Sequence, residues 1–435
     1  MYSLKKTLIL TLLFTLYLTS LIFASSQVSQ ANAATPCTPS VTTSNLSSSV
    51  GIQVDHFIEI RDGGLVLIND TVKLSAKPGE NASLSNFLIG FPFEYGKKGQ
   101  ATKERFYPEC CLAFEEGSQE RELRVLSDVG LGRLGFYGAN VIFDQAINIS
   151  TGHPYSFKVV FVFSNLLQAG TVSVDRVPYN ITLPLYPSIV QDASCIVKVF
   201  LPKNATYKTG ESSYHTKTGK DFNITSVGLY QTLNLTETPL TSFTYEPAWL
   251  MMSAPTSFLM LEANKMMREI TLDQWGRIFC SETYTIRNKG AIALAKLKIR
   301  APQDVYDVSA QNKTGVNLSF SLERGSATTP TIMTISFPTN ISKNAESTFM
   351  VTYRLPWKNY VTQYGWRDYS LTFAFFEQQN FDWIIRDLTT SIILPEGADF
   401  TQLPTLQDSL RSKAHSSLQK NAFQETLTFN FYNVT

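Results

Sequence analysis

Between Arg268 and Ile286 apolar and polar positions alternate on either side of a break. Glu269-Ile270-Thr271-Leu272 alternates, Asp273-Gln274-Trp275-Gly276 interrupts, and from Arg277 the alternation resumes with Ile278, Cys280, Tyr284 and Ile286 on one side. A period of two around a Gly-containing break predicts a strand, a tight turn and a second strand. The same pattern stands about 212 positions earlier, with Ile58 on Ile270, Ile60 on Leu272, Gly64 on Gly276, Val66 on Ile278, Thr71 on Thr283 and Leu74 on Ile286. Even its irregularity repeats, because Asp70 and Glu282 each put an acid on the otherwise apolar side.

Two further matches follow in the same order: Tyr179-Asn180-Ile181-Thr182-Leu183 with Tyr369-Ser370-Leu371-Thr372-Phe373, then Phe200-Leu201-Pro202 with Ile393-Leu394-Pro395. The chain therefore reads as a tandem duplication of units of about 200 residues, each large enough for its own core. The offset falls to about 190 at the second match, so roughly 20 extra residues belong to the first copy, and the charged segment Glu94 to Glu122 is the expected insert.

Strand-like runs dominate both copies. In the first they are Phe57 to Ile60, Leu65 to Leu74, Phe87 to Phe91, Val141 to Phe143, Phe157 to Phe163 and Ile196 to Leu201. In the second they are Val316 to Leu322, Ile332 to Phe337, Thr348 to Leu355, Tyr369 to Phe376, Leu388 to Leu394 and Thr426 to Tyr432. Short β-branched and aromatic runs separated by Gly, Pro and Asn predict an all-β chain with little helix, and half-buried alternation such as Lys296-Leu297-Lys298-Ile299-Arg300 predicts sheets with one wet face. Two tandem β-sandwich-like domains follow, at 51–246 and 265–435. The apolar segment 247–264 is expected to connect them, and Leu406 to Ala422 is the best candidate for a helix.

The N-terminus departs from this pattern. Lys5 and Lys6 precede an apolar run, Thr7 to Ala24, and Ala31-Asn32-Ala33 offers small residues at cleavage spacing, so 1–33 reads as a secretory signal peptide and 34–50 as a Ser/Thr-rich leader. An uncleaved membrane anchor is the alternative. Either places the rest of the chain outside the cytosol. Sequons support export: Asn45, Asn81, Asn148, Asn180, Asn204, Asn223, Asn234, Asn312, Asn317 and Asn340 are candidate glycosylation sites, while Asn69 lies within a strand pattern and Asn433 at the C-terminal end.

Composition narrows the function. A formal net charge of +1 in 435 residues, with no Lys/Arg run, gives no footprint for nucleic acid. Five cysteines, Cys37, Cys110, Cys111, Cys195 and Cys280, are too few for a disulfide scaffold, although Cys110 or Cys111 is expected to form one structural bridge, with Cys195 as a candidate partner. The four histidines include no His-Glu-x-x-His pair, no Gly-x-Ser-x-Gly elbow occurs, and Gly130-Leu131-Gly132-Arg133-Leu134-Gly135 lacks the strand-to-helix setting of a phosphate loop. Asp70 and Glu282 invite an acid/base role, but each is single on its strand face, whereas glycosidic chemistry needs a pair. A buried acid matched by an Arg is the simpler reading. No catalytic residue, metal ligand or cofactor site is expected.

Four stretches carry a family resemblance: Arg268-Glu269-Ile270-Thr271-Leu272-Asp273-Gln274-Trp275-Gly276-Arg277-Ile278, Ala301-Pro302-Gln303-Asp304-Val305-Tyr306, Tyr353-Arg354-Leu355-Pro356 and Ile392-Ile393-Leu394-Pro395-Glu396-Gly397-Ala398. In this order, over roughly 130 residues, they resemble the second luminal domain of the ribophorin I family, subunits of oligosaccharyltransferase. The first copy is a weaker match, carried mostly by Ile58 to Leu74. The resemblance implies two tandem luminal β-sandwich-like domains, no catalytic residues, and a place beside the transferase that moves a lipid-linked oligosaccharide onto sequon asparagines. It also implies attachment to a membrane, through partners or a helix beyond Thr435, in the endoplasmic reticulum of a eukaryote or on the outer face of an archaeal cell membrane. An exported envelope or adhesion glycoprotein built from the same sandwiches is the rival expectation.

Overall fold

The structure is a computed structural model that describes residues 49–92, 111–117, 121–208, 222–326, 329–375, 383–402, 415–421 and 423–434. The first half opens with strands β1 Val50–Ile60, β2 Val66–Ala76, β3 Asn81–Pro92, β4 Leu112–Glu115, β5 Arg121–Gly130, β6 Phe136–Ser150 and β7 Tyr155–Phe163. It continues with β8 Leu167–Ala169, β9 Arg176–Pro184, β10 Ser188–Ile189, β11 Ala193–Phe200, β12 Thr206–Tyr207, β13 Asn223–Val227, β14 Tyr230–Leu240 and β15 Pro247–Pro255. The second half opens with β16 Leu261–Leu272, β17 Ile278–Asn288, β18 Leu294–Ala301, β19 Tyr306–Asn312, β20 Ser319–Glu323, β21 Thr331–Ile341 and β22 Glu346–Leu355. A single-turn helix, α1 Trp357–Tyr360, precedes β23 Val361–Gln363, β24 Tyr369–Leu371, β25 Ile384–Ile393, β26 His415–Lys420 and β27 Glu425–Val434.

One strand order serves both halves. It runs β4-β7-β2-β1-β11-β14-β13 in the first and β19-β22-β17-β16-β25-β27-β26 in the second. Each contains a single parallel pair at the same place, with Ile58 opposite Val199 in β1–β11 and Ile270 opposite Ile392 in β16–β25. Across the core lies a second set of strands, β10-β3-β6-β5 in the first half and β18-β21-β20 in the second. In the first half the β4–β5 hairpin joins the two sets into one eleven-stranded sheet, while in the second they stay separate. The short hairpin β8–β9 has its counterpart in β23–β24, with Ala169 opposite Tyr179 and Gln363 opposite Tyr369. The chain is thus all-β and sandwich-like, and its buried side chains form one cluster from Val50 to Met260 and another from Leu261 to Phe431.

The first hairpin shows why the sequence folds this way. Burial alternates strictly along β1, so Val54, Ile58 and Ile60 enter the core while Phe57 and Glu59 face outward. Arg61 N–H donates to Leu65 O and Gly64 N–H to Arg61 O, both at 2.9 Å. The turn after β16 repeats this pattern, Asp273 N–H to Arg277 O at 3.0 Å and Gly276 N–H to Asp273 O at 3.1 Å. Both glycines sit at positive φ, +83° and +72°, which the last residue of such a three-residue hairpin loop requires.

Four expectations change. The segment expected as a connector, 247–264, contains two strands: β15 pairs along β9 in the sheet β12-β15-β9-β8, and Leu261 already begins β16. Its continuous apolar character reflects burial within those sheets. The expected helix Leu406 to Ala422 is instead strand β26 over His415–Lys420, with 403–414 and 422 outside the described residues. The expected run Val316 to Leu322 begins only at Ser319, and Tyr369 to Phe376 is strand only as far as Leu371. Of the expected insert, 93–110 and 118–120 lie outside the described residues. The rest contributes β4 and the start of β5. The β3–β4 link spans 93–111, whereas its counterpart between β18 and β19 spans 302–305. The signal, the leader up to Ser48, Asn45, Cys37 and Cys110 also lie outside the described residues, among which no helix is long and apolar enough to cross a membrane.

Candidate functional site

The two acids singled out by the sequence occupy equivalent rungs. Asp70 lies directly across from His56 in the β1–β2 ladder, and Glu282 across from Arg268 in the β16–β17 ladder. All four are buried. His56 Nδ1 hydrogen-bonds Asp70 Oδ1, and Arg268 stands 3.5 Å from Glu282. Glu282 further accepts from Tyr284 OH at 2.6 Å and Tyr353 OH at 2.7 Å. Desolvation raises the Tyr353 phenol well above its usual range, which keeps it a donor.

The first half has Val72 and Phe161 where those tyrosines stand, and there Asp70 Oδ2 and His56 Nε2 find no partner. Cys195 is a buried free thiol near this pair, raised well above its usual range by desolvation and then by the charge of Asp70. It is therefore bridged to neither Cys110 nor Cys111. Sealed in a sandwich core, these groups offer no approach to a substrate, and they cross-link strands. Among the described residues, no group of three or more His, Cys, Asp or Glu side chains could hold a metal ion.

A different region gathers the residues that the sequence marked. The β16–β17 turn, the β18–β19 link, the end of β22 and the end of β25 all lie at one end of the seven-stranded sheet. There Ile278 faces Leu355, Tyr306 faces Arg354 and Thr271 faces Ile393. Trp275 at the turn is 75 % exposed. A methyl added at Gly276 would meet the Trp357 ring at 3.8 Å, and that ring meets Tyr369 edge-on at 6.1 Å. Tyr369 belongs to the β23–β24 hairpin, whose tip exposes Tyr364 and, at 88 %, Trp366. Arg277 is paired with Asp273 at 2.6 Å and Arg354 with Asp307 at 3.0 Å, and both guanidiniums lie over Phe279, while Lys358, Arg367 and Asp368 are exposed beside them. This end therefore presents indole and phenol surface with charged side chains among it.

The corresponding end of the first half is covered. Gly63 O accepts from Leu261 N–H at 3.2 Å, and Gly64 lies against the Met260 side chain. Leu65 and Val162 form a small buried cluster with Ile384 of the second half. Beside it, buried Glu262 is paired with Lys289 at 2.8 Å and with Arg386, and Lys289 reaches Asn165 of the first half. Burial pushes the Glu262 carboxyl up, but the two cations outweigh it and hold the group below the ordinary carboxylate range. Strand for strand, Trp275, Arg277 and Arg354 occupy the positions of Gly63, Leu65 and Val162.

The candidate glycosylation sites scatter over the surface and form no site. Asn81, Asn148, Asn180, Asn204, Asn223, Asn317 and Asn340 are exposed, Asn234 and Asn312 half-buried, and Asn433 buried. Asn234 already donates its amide to Asn223 O, Thr225 Oγ1 and Thr232 O. The sequence reading missed His56, whose signal was available: each acid has a basic residue fourteen positions before it, at the mirror position of the hairpin.

No family model matches the chain, and no curated protein is similar to it. Among solved structures it is similar to an M1 zinc metallopeptidase from Deinococcus radiodurans bound to a Tyr-Ser-Ala substrate, at 10% identity over 50% of this chain and 44% of that one, with a TM-score of 0.26. A second structure of the M1 zinc metallopeptidase from that organism gives 10% identity, 52% and 48% coverage and a TM-score of 0.25. The chain spans about half the length of these structures, and at such TM-scores the likeness bears on neither its fold nor its function.

Proposed function

We propose that the chain is a non-catalytic scaffold or substrate-guiding subunit of an oligosaccharyltransferase complex for protein N-glycosylation. One observation carries this reading. The four stretches that resemble the ribophorin I family, separated by up to roughly 130 residues, meet at a single exposed end of the second sheet, around Trp275. Their inward residues, among them Arg268, Ile270, Ile278, Tyr353, Leu355 and Leu394, are buried, and their outward residues come together at that end. Stretches gathered on one aromatic end are what a shared docking face requires. In this reading the partner is a multi-spanning transferase, met in the lumen of the endoplasmic reticulum or on the outer face of a cell membrane. The burial of Asp70 and Glu282 fits a chassis better than a reaction centre.

Purification of the chain from its own membranes in mild detergent should recover that transferase, and recovery of none would reject the proposal. Removing the gene separates the rival: underglycosylation of other proteins supports the subunit, and loss of attachment with normal glycosylation supports an adhesion glycoprotein.

A further inference from the structure

The outer face of the first sheet holds a cleft. Phe57 and Glu59 of β1 point away from the core, Asn69 of β2 and Lys198 of β11 stand beside Phe57 in register, and Phe200 stands beside Glu59. Tyr230 and the turn Leu201 to Lys203 close one side, giving a cleft of about 450 Å³. Phe57 and Phe200 meet edge-on at 6.2 Å, and Lys198 Nζ lies 5.4 Å from the Phe57 ring centre. Phe200 and Tyr230 are open to solvent. In the second sheet the positions of Phe57, Glu59, Asn69, Lys198 and Phe200 hold Glu269, Thr271, Ser281, Ser391 and Ile393, so no aromatic floor exists there.

The lining selects the ligand chemistry. Exposed ring faces hold the C–H face of a flat, partly apolar group, while Glu59 and Asp62 at the rim supply acceptors and Asn69, Lys203 and Arg61, which stands 3.4 Å from Glu59, supply donors. Neighbouring hydroxyls on a pyranose ring need acceptor and donor side by side. A purely apolar ligand would strip water from these rim groups without replacing it, and with two acids, Glu59 and Asp62, against two cations, Arg61 and Lys203, the rim favours a neutral polar ligand over a charged one. We infer that the cleft binds a pyranose carbohydrate of one or two units, a size its volume accommodates. The sugar has two sources. One is a glycan on Asn69 itself, whose Asn-Asp-Thr sequon forms part of the wall, and the other is a glycan of a different molecule. The inference does not rest on the function proposed above, because an adhesion glycoprotein would use such a cleft equally well.

Saturation-transfer NMR on the full chain, made in a host without N-glycosylation, tests it with N,N′-diacetylchitobiose and α-mannobiose as probes. At least one probe should receive transfer, and Tyr230→Ala and Phe200→Ala should each weaken its binding about tenfold without changing the melting temperature. Peptide mapping of the chain from a glycosylating host then assigns the source. A glycan on Asn69 with the cleft closed to the probes marks self-occupancy, and bare Asn69 with the cleft open marks an external glycan. No transfer to either probe, or transfer indifferent to both aromatic substitutions, would overturn the inference.

Discussion

The β1–β2 and β16–β17 hairpins share their turn hydrogen bonds, their positive-φ glycine and a buried acid–base rung, yet their tips have opposite surroundings. The first tip, built of Gly63, Gly64 and Leu65, is small enough for the start of β16 to lie across it. The second carries Trp275 and Arg277 in open solvent. Backbone geometry and the placing of a buried acid–base rung are common to both, while the outward positions at the sheet ends differ. A tip that none of the described residues covers, and that carries large aromatic groups, is where a partner from outside the chain is best accommodated.

The comparison breaks most severely at the rung. Arg268→Ala leaves the Glu282 carboxylate buried without its counter-charge and should cost about 3–5 kcal/mol in denaturant unfolding. Arg268→Met and Glu282→Leu combined with Tyr284→Phe and Tyr353→Phe should cost less than Arg268→Ala alone, because both charges and the two hydroxyls that donate to Glu282 go together. Next come the turn glycines. Gly276→Ala pays for the left-handed backbone, about 1 kcal/mol, whereas Gly64→Ala also pushes a methyl to 3.1 Å from Met260 and should cost about 1–3 kcal/mol.

The junction should also sense acid. Glu262 has a folded pKa below the ordinary 4.5, so its ion pairs stabilise fully above that value, and their contribution is lost as pH falls through the lower folded value. The melting temperature should therefore fall as pH drops below about 4.5, and the fall should be shallower in Glu262→Gln. The smallest effect belongs to the exposed tip: Trp275→Ala should change stability by no more than about 0.5 kcal/mol.

Legibility in the sequence followed one-sided burial. β1, β2, β16 and β17 alternate cleanly, so their register, turns and odd acids could be read off the chain. β13 and β26 are exposed at every position and carry no alternation, which is why the first went unnoticed and the second fell within an expected helix. β15 is mostly buried and reads as a plain apolar run, a pattern periodicity cannot assign. The exposed aromatic end around Trp275 could not be read because its stretches lie far apart in sequence and meet only when the sheet closes. The cleft beside Phe57 depends on β1, β2 and β11 lying side by side, and cross-strand neighbours leave no trace in local spacing.

The most direct measurement is photo-crosslinking from a photoreactive amino acid at position 275, with position 249 on the first half, also exposed in the native chain, as the control. The account predicts a crosslink from position 275 to a multi-spanning transferase, absent from position 249 and lost when Trp366→Ala is added. Equal crosslinking from both positions, or capture from 249 alone, would contradict it.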